Sequence, residues 1–250
     1  MPLNILVTGA TAGFGAAIAR TLSQAGHRVI ATGRRADRLA ALAQDIPGLL
    51  TRVMDVTDRK QVEQAFEWAK REVGDVDALI NNAGLALGLE PAHQVDLDDW
   101  ETMIDTNVKG LVYCTRAALP GMVERNRGWI VNLGSTAGTY PYPGGNVYGA
   151  TKAFVHQFSL NLRADLAGKN VHVCSIEPGL CGGTEFSATR FKGDQDKADK
   201  VYAGTEPLQA DDIAATVAWL LALPPHVNIN AIEMMPTCQA PGPLNVVRKG

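Results

Sequence analysis

Short apolar runs alternate with stretches of helical periodicity along almost the whole chain, and no other feature narrows the fold as far. Ile5-Leu6-Val7 is followed by a helical pattern over 13–25, where Ile18, Leu22 and Ala25 recur at i, i+4 and i+7. Gly26 ends that pattern, as glycine commonly does at a helix C-terminus. Further runs at 28–32, 51–54, 78–80, 129–133, 171–176 and 229–234 read as strands. Between them 35–43, 58–73, 97–124, 146–166 and 210–221 read as helices. Asp58 suits the N-cap of the third, and Gly110 and Pro120 break or bend the fourth. Strands separated by helices in this way predict an α/β fold: a doubly wound parallel sheet of about seven strands with helices on both faces. The 250 residues suit one domain spanning 1–250 better than two small ones.

A hydrophobic fraction of 46% with 20% charged residues is that of an ordinary globular protein. The net charge of −3, without a basic run, gives no electrostatic support for nucleic-acid binding. No apolar stretch approaches the ~20 residues that a membrane helix needs. Met1 runs straight into Asn4-Ile5-Leu6 with no leader pattern, so the expectation is a cytoplasmic protein with no membrane partner. Cys114, Cys174, Cys181 and Cys238 show neither CxxC spacing nor histidines at zinc-ligand spacing. They read as reduced thiols, and no metal is expected.

Between the first strand and the first helix stands Thr8-Gly9-Ala10-Thr11-Ala12-Gly13-Phe14-Gly15. Glycines there permit a tight turn and close backbone approach, and the free N–H groups of a helix start can receive a pyrophosphate. The spacing is G-x-x-x-G-x-G, and its placement between strand and helix is what makes it a dinucleotide loop. An acid about 20 residues on usually bonds the ribose 2′-hydroxyl of NAD. Here Gly33 stands in that place, followed by Arg34-Arg35, with no repelling acid. Two guanidinium groups suit a 2′-phosphate, so the expected cofactor is NADP.

Tyr148 and Lys152 lie four apart on a predicted helix and so share a face. A phenol is a poor base at its reference pKa of ~10. A neighbouring ammonium favours phenolate and suits the phenol to exchange protons with an alcohol. Ser135 follows the fifth strand, where ligands gather in a doubly wound sheet.

With these residues in order, the chain resembles the short-chain dehydrogenase/reductase family over essentially its whole length. The family's glycine motif matches Thr8 to Gly15, its Asn-Asn-Ala-Gly motif stands at Asn81 to Gly84, and its Pro-Gly motif at Pro178-Gly179. The runs Glu-Pro-Ala-His at 90–93, Asp-Trp-Glu-Thr-Met-Ile-Asp-Thr-Asn at 99–107 and Glu-Pro-Gly-Leu-Cys-Gly-Gly-Thr-Glu-Phe at 177–186 are similar to bacterial NADP-dependent 3-hydroxy acid dehydrogenases. The resemblance implies a Rossmann-type fold and hydride transfer between NADP(H) and a small 3-hydroxy acid such as serine, allo-threonine or 3-hydroxypropanoate (malonic semialdehyde in reverse). It implies Tyr148 as acid/base and Lys152 as the group that lowers its pKa and binds the nicotinamide ribose. Ser135 would hold the substrate oxygen, and Asn107 a water of the proton relay. It implies cofactor contacts from Gly9, Thr11, Ala12, Gly13, Phe14, Gly15, Asp55, Val56, Asn82, Ala83, Gly84, Pro178, Gly179 and Thr184, beside Arg34, Arg35, Tyr148 and Lys152. It also implies a homotetramer.

Residues 180–207 are polar and charged and read as a surface excursion that closes over a site. Arg190 lies there, and its planar fork suits a substrate carboxylate. The 229–250 tail carries Met234, Met235, Leu244, Val246 and Val247 with few charges, and is expected to pack on a neighbouring subunit or on its own domain. Two other readings compete: a reductase of neutral ketone or ketoacyl substrates, and a non-catalytic NADP-sensing regulator on the same fold.

Overall fold

The computed structural model describes residues 2–242. Its frame is a seven-stranded, all-parallel sheet in the order β3-β2-β1-β4-β5-β6-β7. The strands are β1 (Asn4–Val7), β2 (Arg28–Gly33), β3 (Leu50–Val53), β4 (Ala78–Asn81), β5 (Gly128–Leu133), β6 (Val171–Pro178) and β7 (Ala231–Met234). The helices are α1 (Gly13–Gln24), α2 (Ala36–Asp45), α3 (Arg59–Val73), α4 (Leu97–Ile104), α5 (Leu111–Glu124), α6 (Asn146–Asp165), α7 (Phe186–Arg190), α8 (Gln195–Lys200) and α9 (Ala210–Leu221). The doubly wound sheet expected from the alternation is present, with every predicted strand within a few residues of its expected place.

Successive side chains of a strand point to opposite faces, and the two cores divide accordingly. Ile5, Val7, Ala31 and Ile80 pack with Ile18 and Leu22 of α1, Leu39 of α2 and Ile213 and Val217 of α9. Leu6, Ile30, Leu79 and Ile130 pack on the other face with Val62 of α3, Met122 of α5 and Leu162 of α6. A strand covered on both faces must be apolar at consecutive positions, which is why β1 and β4 read as unbroken runs. Asp58 caps α3 as expected, accepting from the Lys60 and Gln61 amides.

The long helix expected over 97–124 is divided by a π-helical stretch, Asp105–Gly110, and the break does not come from Gly110 alone. A Cβ on Gly110 would come within 2.6 Å of Val56, so glycine there also lets this segment approach the end of β3. Pro120 lies inside α5 without ending it. In the 180–207 excursion the short α7 and α8 form, and an isolated bridge between Cys181 and Leu208 ties its base. Leu244, Val246 and Val247 of the expected apolar tail lie outside the described residues.

Candidate active site

The strand order reverses between β1 and β4, and ligands of open α/β sheets bind at the carboxyl ends of strands beside such a reversal. The segments that follow β1, β4, β5 and β6 open there into one cleft of about 710 Å³. Of the expected cofactor residues, Gly9, Thr11, Ala12, Gly13, Phe14, Arg34, Arg35, Asp55, Val56, Asn82, Ala83, Gly84, Pro178, Gly179 and Thr184 line it. Ser135, Tyr148, Lys152 and Arg190 line it too. Gly15 and Asn107 do not.

The glycine loop is built by packing as well as by ligand access. Gly9 has φ +65°, and a Cβ on it would fall 2.8 Å from Ala83 Cα. A Cβ on Gly15 would meet the Gly9 carbonyl at 2.5 Å, so Gly15 lets α1 sit against its own loop. Thr8 Oγ1 accepts from the Asn82 and Ala83 amides, each at 3.0 Å, and the Asn82 side chain donates to the Thr8 carbonyl at 2.8 Å. The loop after β4 thus props the loop after β1. Ala12 at the N-cap of α1 supplies no side-chain cap, so the first-turn N–H groups have no side-chain partner there.

Arg34 and Arg35 do not stand free of acids, as their sequence surroundings suggested. Arg34 lies 3.9 Å from Asp55, and Arg35 lies 2.8 Å from Glu185, brought across from the 180–207 segment. Arg35 also donates twice to Thr11 Oγ1, at 2.9 and 3.2 Å. Asp55 accepts from the Thr57 amide and hydroxyl at 2.9 and 2.8 Å, which orients it toward the cleft end of β3.

On the chemical side, Tyr148 and Lys152 project from one face of α6, with Lys152 Nζ 5.9 Å from the Tyr148 ring centre. Lys152 donates to the Leu133 carbonyl at 2.8 Å. Both are buried: burial pushes the Tyr148 phenol up to about 12 and the Lys152 amine down to about 8. Against burial, the Ser135 hydroxyl and the Arg190 guanidinium draw the phenol down. Arg190 thus acts on the phenol as a second cation beside Lys152, one that the sequence did not place there. Ser135 itself caps a short 3₁₀ turn through the Ala137 amide.

Asn107 sits in the π-helical stretch, behind the cleft. Its Oδ1 accepts from the Leu85 amide at 2.9 Å, and its Nδ2 donates to the Leu85 carbonyl at 2.9 Å and to Thr151 Oγ1 at 3.0 Å. Three of the four hydrogen bonds an amide side chain can make are thus within the protein. The side chain ties the Leu85 loop to α6.

Arg190 lies in a cage of three aromatic rings that sequence reasoning did not assemble. Its guanidinium carbon is 5.1 Å from the centres of Tyr148 and Phe186 and 5.8 Å from that of Tyr142. One terminal nitrogen donates to the Tyr142 hydroxyl at 2.9 Å. Its Nε is buried without a partner. Tyr140, Cys181, Tyr202 and Met235 complete this end of the cleft.

The family model for short chain dehydrogenases matches residues 3–195. The chain is 60% identical over 245 residues to the NADP-dependent 3-hydroxy acid dehydrogenase YdfG of Salmonella typhi, covering 98% of this chain and 99% of that one. It is 50% identical over 247 residues to the serine 3-dehydrogenase of Rhizobium radiobacter, covering 98% of each. The structure of the closed form of a serine dehydrogenase complexed with NADP+ superposes with a TM-score of 0.97 at 58% identity, covering 99% of this chain and 100% of that one. Sheet order, cleft and relatives agree, and the chain belongs to the short-chain dehydrogenase family.

Proposed function

We propose that this protein is an oxidoreductase that moves a hydride reversibly between NADP(H) and the 3-hydroxyl or 3-oxo group of small 3-hydroxy acids. The class covers serine, allo-threonine and the pair 3-hydroxypropanoate and malonic semialdehyde. The observation that carries the substrate class is Arg190: a cleft-lining guanidinium held against Tyr148 by two further aromatic rings, with a buried N–H left unpartnered. A buried donor without an acceptor costs about 1–3 kcal/mol. Arg190 also lines the cleft, and an arginine fork can grip a carboxylate there in two places.

The cleft fits the cofactor. Its volume of about 710 Å³ lies within the range of small-molecule sites, roughly 300–1,000 Å³. Uncapped N–H groups of α1 suit a pyrophosphate, and the exposed Arg34 suits a 2′-phosphate. The bound nicotinamide supplies the hydride donor or acceptor. Tyr148 exchanges a proton with the substrate oxygen through its phenol, and Ser135 donates a hydrogen bond to that oxygen. Lys152, charged below about pH 8, holds positive potential beneath the site and is the residue we assign to the nicotinamide ribose. Retention of Ser135, Tyr148 and Lys152 in one cleft argues against a purely sensing role. The caged cation argues against a neutral-ketone reductase.

Exposed Leu97, Ile104 and Phe154 offer apolar surface that the homotetramer usual in this family would cover, in the cytoplasm; light scattering at micromolar concentration tests the assembly. The substrate class is tested by comparing 3-hydroxypropanoate and serine with their methyl esters. Wild type should reject the esters, and Arg190→Ala should narrow the gap. Equal turnover of acid and ester by wild type would exclude carboxylate recognition and promote the neutral-ketone reading.

A further inference from the structure

The carboxylate of Glu185 lies between two arginines of the cofactor side. Its Oε2 is 2.8 Å from Arg35 and its Oε1 is 3.4 Å from Arg38. Arg35 is in turn fixed by two hydrogen bonds to Thr11 of the glycine loop. Glu185 is the N-cap residue of α7, and Arg190 is the last residue of the same five-residue helix. The other end of this segment is tied as well. Lys192 pairs with Asp99 at 2.8 Å, and the Gly88 amide donates to the Arg190 carbonyl at 2.9 Å. Residues 185–192 therefore hang between two anchors, one on the arginines at the 2′-phosphate end and one on α4.

We propose that Glu185 is a positioning residue, an ionic strap that holds α7 down over the cleft by tying the helix that carries Arg190 to Arg35 and Arg38, beside the arginine that reads the cofactor. The inference deepens the reading of Arg190 as the carboxylate grip, but the strap itself rests only on the ion pairs. Thr184 adds close contact at the same edge, since a Cβ on Gly13 would fall 3.2 Å from the Thr184 Cβ. With Arg35 engaged by Thr11 and Glu185, Arg34 is the arginine left open to solvent, 66% exposed and no nearer than 3.9 Å to its acid. The cofactor end thus divides its cations: Arg35 and Arg38 fasten the segment, and Arg34 remains for the phosphate.

The strap makes opening of the segment depend on one half-exposed carboxylate, and Glu185→Gln removes its charge while keeping its shape. Hydrogen exchange of the backbone amides of 183–193 in cofactor-free protein should quicken by about 3–10-fold, the factor that two partly exposed ion pairs can hold. Exchange of the β1 and β4 amides should stay unchanged, which separates a loosened segment from a destabilised fold. The rate of NADPH release, followed by stopped-flow fluorescence, should rise by a similar factor. Arg38 does not line the cleft, and Arg38→Ala should give a smaller increase in exchange. The double variant should exchange no faster than Glu185→Gln alone. Exchange and release within about twofold of wild type in Glu185→Gln would overturn the strap, as would single effects that multiply in the double variant. None of these readouts uses a hydroxy acid. A failed substrate assignment therefore leaves them intact, and a failed strap leaves the substrate class to the ester comparison.

Discussion

Lys152→Met should make the cofactor-free protein more stable at neutral pH while abolishing turnover. Lys152 is 7% exposed, and burial lowers its pKa to about 8 from 10.5. The difference of 2.5 units, at 1.36 kcal/mol each, is a cost of about 3 kcal/mol for keeping the ammonium charged in the native state. Between pH 8 and 10.5 the unfolded chain binds the proton and the native one does not. The cost is therefore fully present below pH 8 and fades as pH rises to 10.5. Methionine removes the charge at similar volume but forfeits the charge-assisted hydrogen bond to the Leu133 carbonyl, worth about 1.5–3 kcal/mol. The net gain at pH 7 is about 0.5–2 kcal/mol, or about 1–8 °C in Tm for a chain of this size. At pH 10.5 the gain should be gone and the lost hydrogen bond should leave the variant less stable than wild type. Thermal denaturation of both proteins at pH 7 and pH 10.5 reads this directly. A variant less stable at pH 7, or one with the same advantage at both pH values, would refute the assignment of Lys152 as a buried charge kept at the expense of stability.

Tyr148→Phe should bind NADPH within a few-fold of wild type, by fluorescence titration, and lose at least about 100-fold in kcat, because proton transfer by a placed side chain is worth 10²–10⁴-fold. Arg34→Ala should raise the KM for NADP by about 10-fold or more and leave that for NAD nearly unchanged, since a charge-assisted hydrogen bond is worth about 1.5–3 kcal/mol; equal effects on both cofactors would remove Arg34 from the 2′-phosphate site.

The sheet was readable because burial on both faces writes β1 and β4 as continuous apolar runs, and the helices because α1, α3 and α9 carry one apolar stripe each. The glycine loop and the Tyr148 and Lys152 pair were readable because their spacing is itself the geometry. What escaped is what the chain assembles over long separations. Glu185 meets Arg35 across 150 positions, and Tyr142 meets Arg190 across 48. Neither carboxylate nor ring differs in sequence from any solvated neighbour. Asn107 shows the same limit from the other side: its position was found, but its hydrogen bonds to Leu85 and Thr151 depend on a π-helical stretch that no periodicity announces. Such stretches interrupt a helix without changing its composition.

The placement of Arg190 against Tyr148 ties substrate charge to phenol protonation. The guanidinium carbon is 5.1 Å from the ring centre and favours phenolate. A unit charge at that distance, at an effective dielectric constant of ~20, is worth about 3 kcal/mol, a ceiling of about 2 pK units. If a carboxylate binds Arg190 as proposed, it cancels most of that potential and holds the proton on the phenol more firmly. Binding a 3-oxo acid then leaves Tyr148 as the acid that reduction requires, whereas oxidation of a 3-hydroxy acid needs the phenolate at a higher pH. The unreactive anion propanoate isolates the effect. In the NADP+ complex, the phenolate absorbance of wild type minus that of Tyr148→Phe should titrate about 1 unit higher with saturating propanoate than without it, within that electrostatic ceiling. In Arg190→Ala the midpoint should begin higher and propanoate should not move it. An unmoved midpoint in wild type, or the same shift in both proteins, would disconnect the guanidinium from the phenol and leave Arg190 with a purely steric part in the cleft.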